Sequence, residues 1–129
     1  MQGIQTVQLV YATIENTPGQ LSRAASALGR ERINIDALSL ETQGHLGMLR
    51  LLTTRTGEAV KVLRNQGIEA HESEAIAIPL GNRPGELGRV SSELAAAGLN
   101  IESVFPTPDG RLVIRTNDVR QSERILGKL

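Results

Sequence analysis

The chain repeats itself. Displaced by 66 residues, the segment 16–35 falls on 82–101 with nine of twenty positions identical. They are Asn16/Asn82, Pro18/Pro84, Gly19/Gly85, Leu21/Leu87, Arg23/Arg89, Ser26/Ser92, Leu28/Leu94, Asn34/Asn100 and Ile35/Ile101. At ordinary residue frequencies about one identity is expected by chance, so two similar units are encoded. A duplication within 129 residues leaves each copy near the lower size limit of an independent domain. It divides the chain into modules at 1–73 and 74–129.

Residues 6–14 (T-V-Q-L-V-Y-A-T-I) are rich in β-branched side chains and free of breakers, which predicts a strand. Asn16-Thr17-Pro18-Gly19 interrupts it. Asn16 or Thr17 is placed to cap a helix, and Pro18 suits its first turn, where a missing N–H costs nothing. Leu21, Ala24, Ala25 and Leu28 then recur at helical spacing. Strands are predicted over 33–41 and 46–53 around a turn at Gln43-Gly44, then a helix over 58–66 stopped by Gly67, and a strand over 68–73. The order β-α-β-β-α-β is the ferredoxin-like unit, an α+β fold with two helices on one face of an antiparallel sheet.

The second copy repeats the order: strand 74–80, helix 84–97, strand 100–106, a turn at Pro108-Asp109-Gly110, strand 111–116 and helix 119–126. Aligning Leu63 with Leu126 requires a three-residue deletion, and the second module then lacks its last strand. Strand 74–80 is left with an open edge, which invites pairing. The long N-terminal strand, or the same strand of another subunit, is expected to fill it.

Both faces of the first sheet are apolar: Val7, Leu9 and Tyr11 oppose Val10, Ala12 and Ile14, and Leu46, Met48 and Leu52 oppose Leu49 and Leu51. A sheet with one face in water alternates more cleanly. A homodimer, with the uncovered face packed on a second copy, is therefore expected.

Composition removes whole classes of function. The 14 basic and 14 acidic side chains balance, seven of each sign in either module. A nucleic-acid binder carries a basic excess on some face, and a single-strand binder needs aromatic platforms; Tyr11 and Phe105 are the only aromatics. With no cysteine, disulfides, thiol catalysis and Cys-ligated metals are excluded. No apolar run approaches the ~20 residues of a membrane span, and no signal pattern opens the chain. The expected location is the cytoplasm.

The catalytic inventory is thin. His45 lies beside a hairpin turn, and His71, flanked by Glu69 and Glu72, lies in an edge strand. No metal-ligand spacing or nucleophile motif occurs. Asp36 and Glu102 open the second strands and are expected to face solvent rather than to act as an acid–base pair. Neither an enzyme nor a cofactor is expected.

The repeated Asn-x-Pro-Gly-x-Leu does carry chemistry. A helix N-terminus exposes N–H groups and partial positive charge, which attract a carboxylate or phosphate. Glycine there is a poor helix former, and its presence in both copies marks backbone that a side chain must not cover. Two readings stand side by side: a carboxylate seat, or a turn from strand to helix and nothing more. Asn34 and Asn100 likewise suit a left-handed residue after a helix.

Asn-x-Pro-Gly-x-Leu-x-Arg, a small apolar helix, and then Asn-Ile-(Asp/Glu) entering a strand resemble the ACT domain, the amino-acid-binding regulatory module of many enzymes of amino-acid metabolism. The second copy, through Gly98-Leu99-Asn100-Ile101-Glu102-Ser103, also resembles the regulatory subunit of acetolactate synthase. The resemblance covers both copies, as in stand-alone proteins with two ACT modules and no catalytic domain.

It implies ligand sites where the strand-to-helix loop of one module meets its neighbour. On the loop side these comprise Asn16, Thr17, Pro18, Gly19, Gln20 and Leu21 with Asn82, Arg83, Pro84, Gly85, Glu86 and Leu87; on the facing side, Asn34 and Ile35 with Asn100 and Ile101. Asn16 and Asn82 would hold the ammonium or carboxylate of a free amino acid, and Gly19 and Gly85 would admit it to the backbone. Thr17 against Arg83 makes the two sites unequal. Arg83 either reaches a carboxylate or lies in solvent. The implied partner is an enzyme of amino-acid metabolism, regulated in trans. The alternative is an ACT-like scaffold without ligand, docking a partner through open strand edges.

Overall fold

The computed structural model describes residues 1–80 and 83–129. Its elements run β1 (Gln5–Glu15), α1 (Gln20–Arg30), β2 (Ala37–Gln43), β3 (Leu46–Leu52), α2 (Thr56–Asn65), β4 (Glu69–Pro79), α3 (Glu86–Ala96), β5 (Ile101–Pro106), β6 (Arg111–Thr116) and α4 (Val119–Gly127). The expected ferredoxin-like order is present in both copies. The expected strands 68–73 and 74–80 are one strand, β4. Between Glu69 and Ile78 there is no Pro or Gly to break it.

Two compact units result. The first spans Gln8–Ser73; the second comprises Met1–Val7 and Glu74–Leu129. The expected modules were 1–73 and 74–129; residues 1–7 lie in the unit that holds Glu74–Leu129.

In the first unit the strand order is β2-β3-β1-β4. β3 pairs antiparallel with β1 (Tyr11 opposite Arg50, Ala12 opposite Leu49) and with β2 (Leu40 opposite Leu49). One face of this sheet carries Val10, Ala12, Ile14, Leu49, Leu51 and Ala70, which pack with Ala24 and Leu28 of α1 and Ala59, Val60 and Leu63 of α2. Each fully buried aliphatic side chain stabilises by roughly 1.5–3 kcal/mol, enough for this cluster to hold the helices on that face. On the other face Leu9, Tyr11 and Leu52 are also buried within the single chain, whereas Leu46 and Met48 are each 40% exposed. Tyr11 stacks on His71 at 5.6 Å and carries Arg50 over its ring at 5.8 Å. His71 is thus engaged with an aromatic ring.

In the second unit the order is β1-β4-β6-β5, with β6 antiparallel to β4 and to β5. The start of β1 occupies the position of the missing last strand beside β4, as the open edge required. Its residues are well tied. Thr6 donates to Glu123 at 2.6 Å, Arg111 donates to Gln5 at 3.3 Å, and Met1 and Ile4 pack against the core of Ile76, Ile78, Val90, Leu94, Ile114 and Leu126.

The helices end alike. After α3, the Gly98 N–H reaches Ala95 O at 2.9 Å and the Leu99 N–H reaches Leu94 O at 3.0 Å, a Schellman closure with Gly98 at φ +77. After α1 the same bonds run from Arg32 to Gly29 and from Ile33 to Leu28, both at 3.0 Å, with Arg32 at φ +57. The left-handed residue after each helix is therefore Arg32 or Gly98. Asn34 and Asn100, for which that conformation was one reading, do not have positive φ.

Candidate ligand site

The repeated motif is a turn before it is a helix. Gly19 has φ +89 and ψ −7, and Gly85 has φ +88 and ψ −11; these are the values of the third residue of a type II turn, with proline preceding. The Gln20 N–H closes the first turn on Thr17 O, and the Glu86 N–H closes the second on Arg83 O, each at 3.4 Å. Helices α1 and α3 begin one residue later, and Gly19 and Gly85 supply their first accepting carbonyls to Arg23 and Arg89 at 2.9 Å.

Three expectations change. Asn16, Thr17 and Pro18 do not start the helix: Gly19 is its N-cap, and no side chain caps it. Glycine is required by the left-handed backbone, which an L side chain adopts at a cost of roughly 1–2 kcal/mol. And a Cβ at either glycine meets nothing within 4 Å, so the space over both turns is open.

The other motif residues divide by copy. Asn16 is committed to its own unit: its Nδ2 donates to Gly44 O and its backbone N–H to His45 O, both at 2.9 Å. This stitches the first turn to the β2–β3 hairpin. Asn82 lies outside the described residues. Thr17, Pro18, Leu21, Arg83, Pro84, Gly85 and Leu87 are exposed, and Gln20 and Glu86 are half-buried. Arg23 and Arg89, identical in the repeat, reach back one turn: Arg23 to Gln20 and Arg89 to Glu86, at 3.1 Å each. Arg23 also holds Gln66 O at 2.6 Å, in the turn that leads to β4.

Asn34, Ile35, Asn100 and Ile101 stand apart from the turns of their own units. They follow the far ends of 11-residue helices, about 16 Å along the axis. Asn34 donates to Asp36 at 2.8 Å, and the Asn100 N–H is held by Asn117 at 2.9 Å. Ile35 and Ile101 pack on the cores of their units. Asp36 is exposed, and Glu102 pairs with Arg115 at 3.3 Å.

Each unit has a groove at its turn. In the first, Thr13, Ile14 and Glu15 of β1 face Gln20, Arg23, Gly67 and Ile68 around about 410 Å³. In the second, Arg83, Glu86 and Leu87 face Pro106, Thr107, Arg111 and Leu112 around about 270 Å³, near the lower end of small-molecule pockets. The hairpin side of this groove was not expected from sequence; Pro108-Asp109-Gly110 marked a turn and nothing more. Thr107 is buried, its hydroxyl donating to Asp109 and accepting from the Arg111 N–H at 2.9 Å. Arg111 pairs with Asp109 at 3.0 Å. The Thr107 hydroxyl first, and then the Arg111 guanidinium, hold the Asp109 carboxyl below the usual carboxylate range. Among the described residues no carboxylate pairs with Arg83.

The fold has counterparts in known structures. Protein BT0572 of Bacteroides thetaiotaomicron superposes with a TM-score of 0.87 at 24% identity, over 97% of this chain and 89% of that one. The ligand-free regulatory subunit of aspartate kinase from Thermus thermophilus superposes at 0.71 and 17% identity, over 98% and 97%. Aspartokinase III of E. coli, solved with lysine and aspartate, superposes at 0.60 and 17% identity, over 97% of this chain and 31% of that one. At these identities the likeness is one of fold. A comparison of the sequence with curated proteins matches none. The family profile described as an ACT domain pair matches residues 5–128; with the two ferredoxin-like units and their paired turns, the chain belongs to the ACT domain pair family.

Proposed function

We propose that this protein is a small-molecule-binding regulator. It binds a free amino acid where ACT modules meet, through the turns at 16–21 and 82–87, and passes the signal to an enzyme of amino-acid metabolism in trans. The observation that carries the reading is the pair of ACT modules spanning nearly the whole chain, with no room left for a catalytic domain in these residues. Likeness in length and fold to a regulatory subunit of aspartate kinase supports it. A homodimer in the cytoplasm is part of the proposal. Binding must bias assembly or partner affinity, because a ligand with equal affinity for both states shifts neither.

Thermal unfolding against each of the twenty amino acids tests this. A ligand at 100 times its Kd adds ~2.7 kcal/mol of stability. One clear shift, accompanied by a change in elution volume, is the expected result; twenty flat traces from a folded protein overturn it.

A second reading, an interaction scaffold without ligand, is favoured by the edge hairpin β2–β3. Leu38, Leu46 and Met48 there are 45%, 40% and 40% exposed, an apolar edge suited to pairing. Flat traces with a stable oligomer would select it.

A further inference from the structure

We propose that the first unit pairs with a second copy of this chain through the helix-free face of its sheet. Met48 packs on Met48, Arg50 of each copy meets Glu41 of the other, and the two sheets cross near a right angle. This rests on the homodimer in the reading above and names its surface; it is independent of any ligand.

Three side chains define the patch. Met48 of β3 lies opposite Glu41 of β2 and Thr13 of β1, and opposed residues of an antiparallel pair share a face. Arg50 follows two residues along β3 and so shares it too. The helices lie on the other side, against Leu49 and Leu51. On the helix-free face Met48 and its neighbour Leu46 are each 40% exposed, Glu41 is exposed and Arg50 half-buried.

Neither charge is compensated. Among the described residues no cation pairs with Glu41 and no carboxylate with Arg50. The Arg50 guanidinium lies over the Tyr11 ring at 5.8 Å, and its Nε is buried without a hydrogen-bond partner. A cation partly removed from water without a counter-charge costs free energy. A purely acidic partner would leave Glu41 unpaired, and a purely basic one Arg50. A patch with one charge of each sign around an apolar centre is complementary to itself.

The spacing sets the crossing. From Met48, Glu41 lies one strand away, about 4.8 Å, and Arg50 lies two residues along the strand, about 7 Å in the perpendicular direction. Consider a two-fold axis between the stacked sheets that bisects those two directions. It leaves Met48 facing Met48 and carries Arg50 of each copy over Glu41 of the other. The strands then cross near 90°, one of the two regular ways in which sheets pack. The same axis sets Leu46 against the partner's Thr13. Glu15, Glu69 and His71 are exposed at the margin of the patch.

The second copy has no such patch. Allowing for its deletion, Thr107, Arg111 and Val113 stand where the first copy has Glu41, Met48 and Arg50, and Arg111 is already paired with Asp109. One self-complementary patch per chain closes a dimer, whereas complementary patches on both units would propagate.

Sedimentation velocity of the full chain tests this, using Glu41→Arg, Arg50→Glu, an equimolar mixture of the two, and Met48→Cys. The wild-type chain is expected to be a dimer. Each charge reversal acts twice across the axis and should weaken the dimer roughly 10- to 100-fold. The mixture should restore it, because a copy with two cations then faces a copy with two anions. Met48→Cys, in a chain with no other cysteine, should be joined to its mate by a short bis-maleimide. A dimer that both reversals leave intact overturns the surface while leaving the homodimer standing. Weakened single variants that the mixture does not restore overturn the reciprocal pairing, as does a dimer in which Met48→Cys is not cross-linked. A monomeric wild-type chain overturns this inference together with the homodimer, and leaves the amino-acid reading to its own test.

Discussion

Arg32 and Gly98, 66 residues apart in the repeat, occupy the same left-handed position after their helices, at φ +57 and +77. Both close a Schellman motif with matching bonds, yet only one is a glycine. The first copy holds a long side chain in backbone that favours none. Its carbonyl accepts from Arg55, as does that of Glu31, both at 3.1 Å, so the end of α1 is tied to the start of α2 through backbone oxygens that any residue supplies.

Replacing Arg32 by glycine should therefore raise stability by about 1 kcal/mol, because the Arg55 contacts survive and the strain is relieved. Gly98→Ala should lower it by a similar amount. Chemical denaturation of the two variants checks both signs, and equal midpoints for wild type and Arg32→Gly would show the left-handed cost to be absent.

Asn16 spans from the first turn to the β2–β3 hairpin through Gly44. Asn16→Ala should cost about 0.5–1.5 kcal/mol in the absence of any ligand. Faster hydrogen exchange should be confined to Asn16 and the hairpin around Gly44 and His45. A side chain serving only to hold a ligand would leave both quantities unchanged.

Removing residues 1–7 strips the strand that completes the second unit. Met1 and Ile4 leave its core, and the edge of β4 is uncovered. A loss of about 2 kcal/mol or more is expected, with self-association visible by light scattering as exposed edges pair. A truncated chain that melts at the wild-type temperature would show the segment to be dispensable.

Asp109 titrates below its ordinary value of about 3.9, owing first to Thr107 and then to Arg111. Because the folded pKa is the lower one, the stabilisation is present above the unfolded value and is lost as pH falls through the folded value. The carboxylate signal in an NMR titration should have its midpoint below that of an unfolded peptide. In Thr107→Val the midpoint should move upward, Arg111 alone then holding it down.

The duplication and the βαββαβ order were legible in the sequence alone, because they follow from local periodicity, breakers and self-similarity. The sequence also marked the Pro-Gly turns as the places where backbone matters. What Gly19 and Gly85 do there was decided by the turn: a left-handed φ, set by the angle between strand and helix, is a property of the folded path and not of composition. The partner of Asn16, the shared strand β4 and the second home of Met1–Val7 likewise needed tertiary structure. Each depends on residues far apart in the chain, as with Gln5 and Arg111, where the energy of pairing exists only once the sheet has brought them together. The hairpin wall of Thr107 and Arg111 was hidden for the same reason, since a Pro-Asp-Gly turn reads locally as a turn whatever it faces.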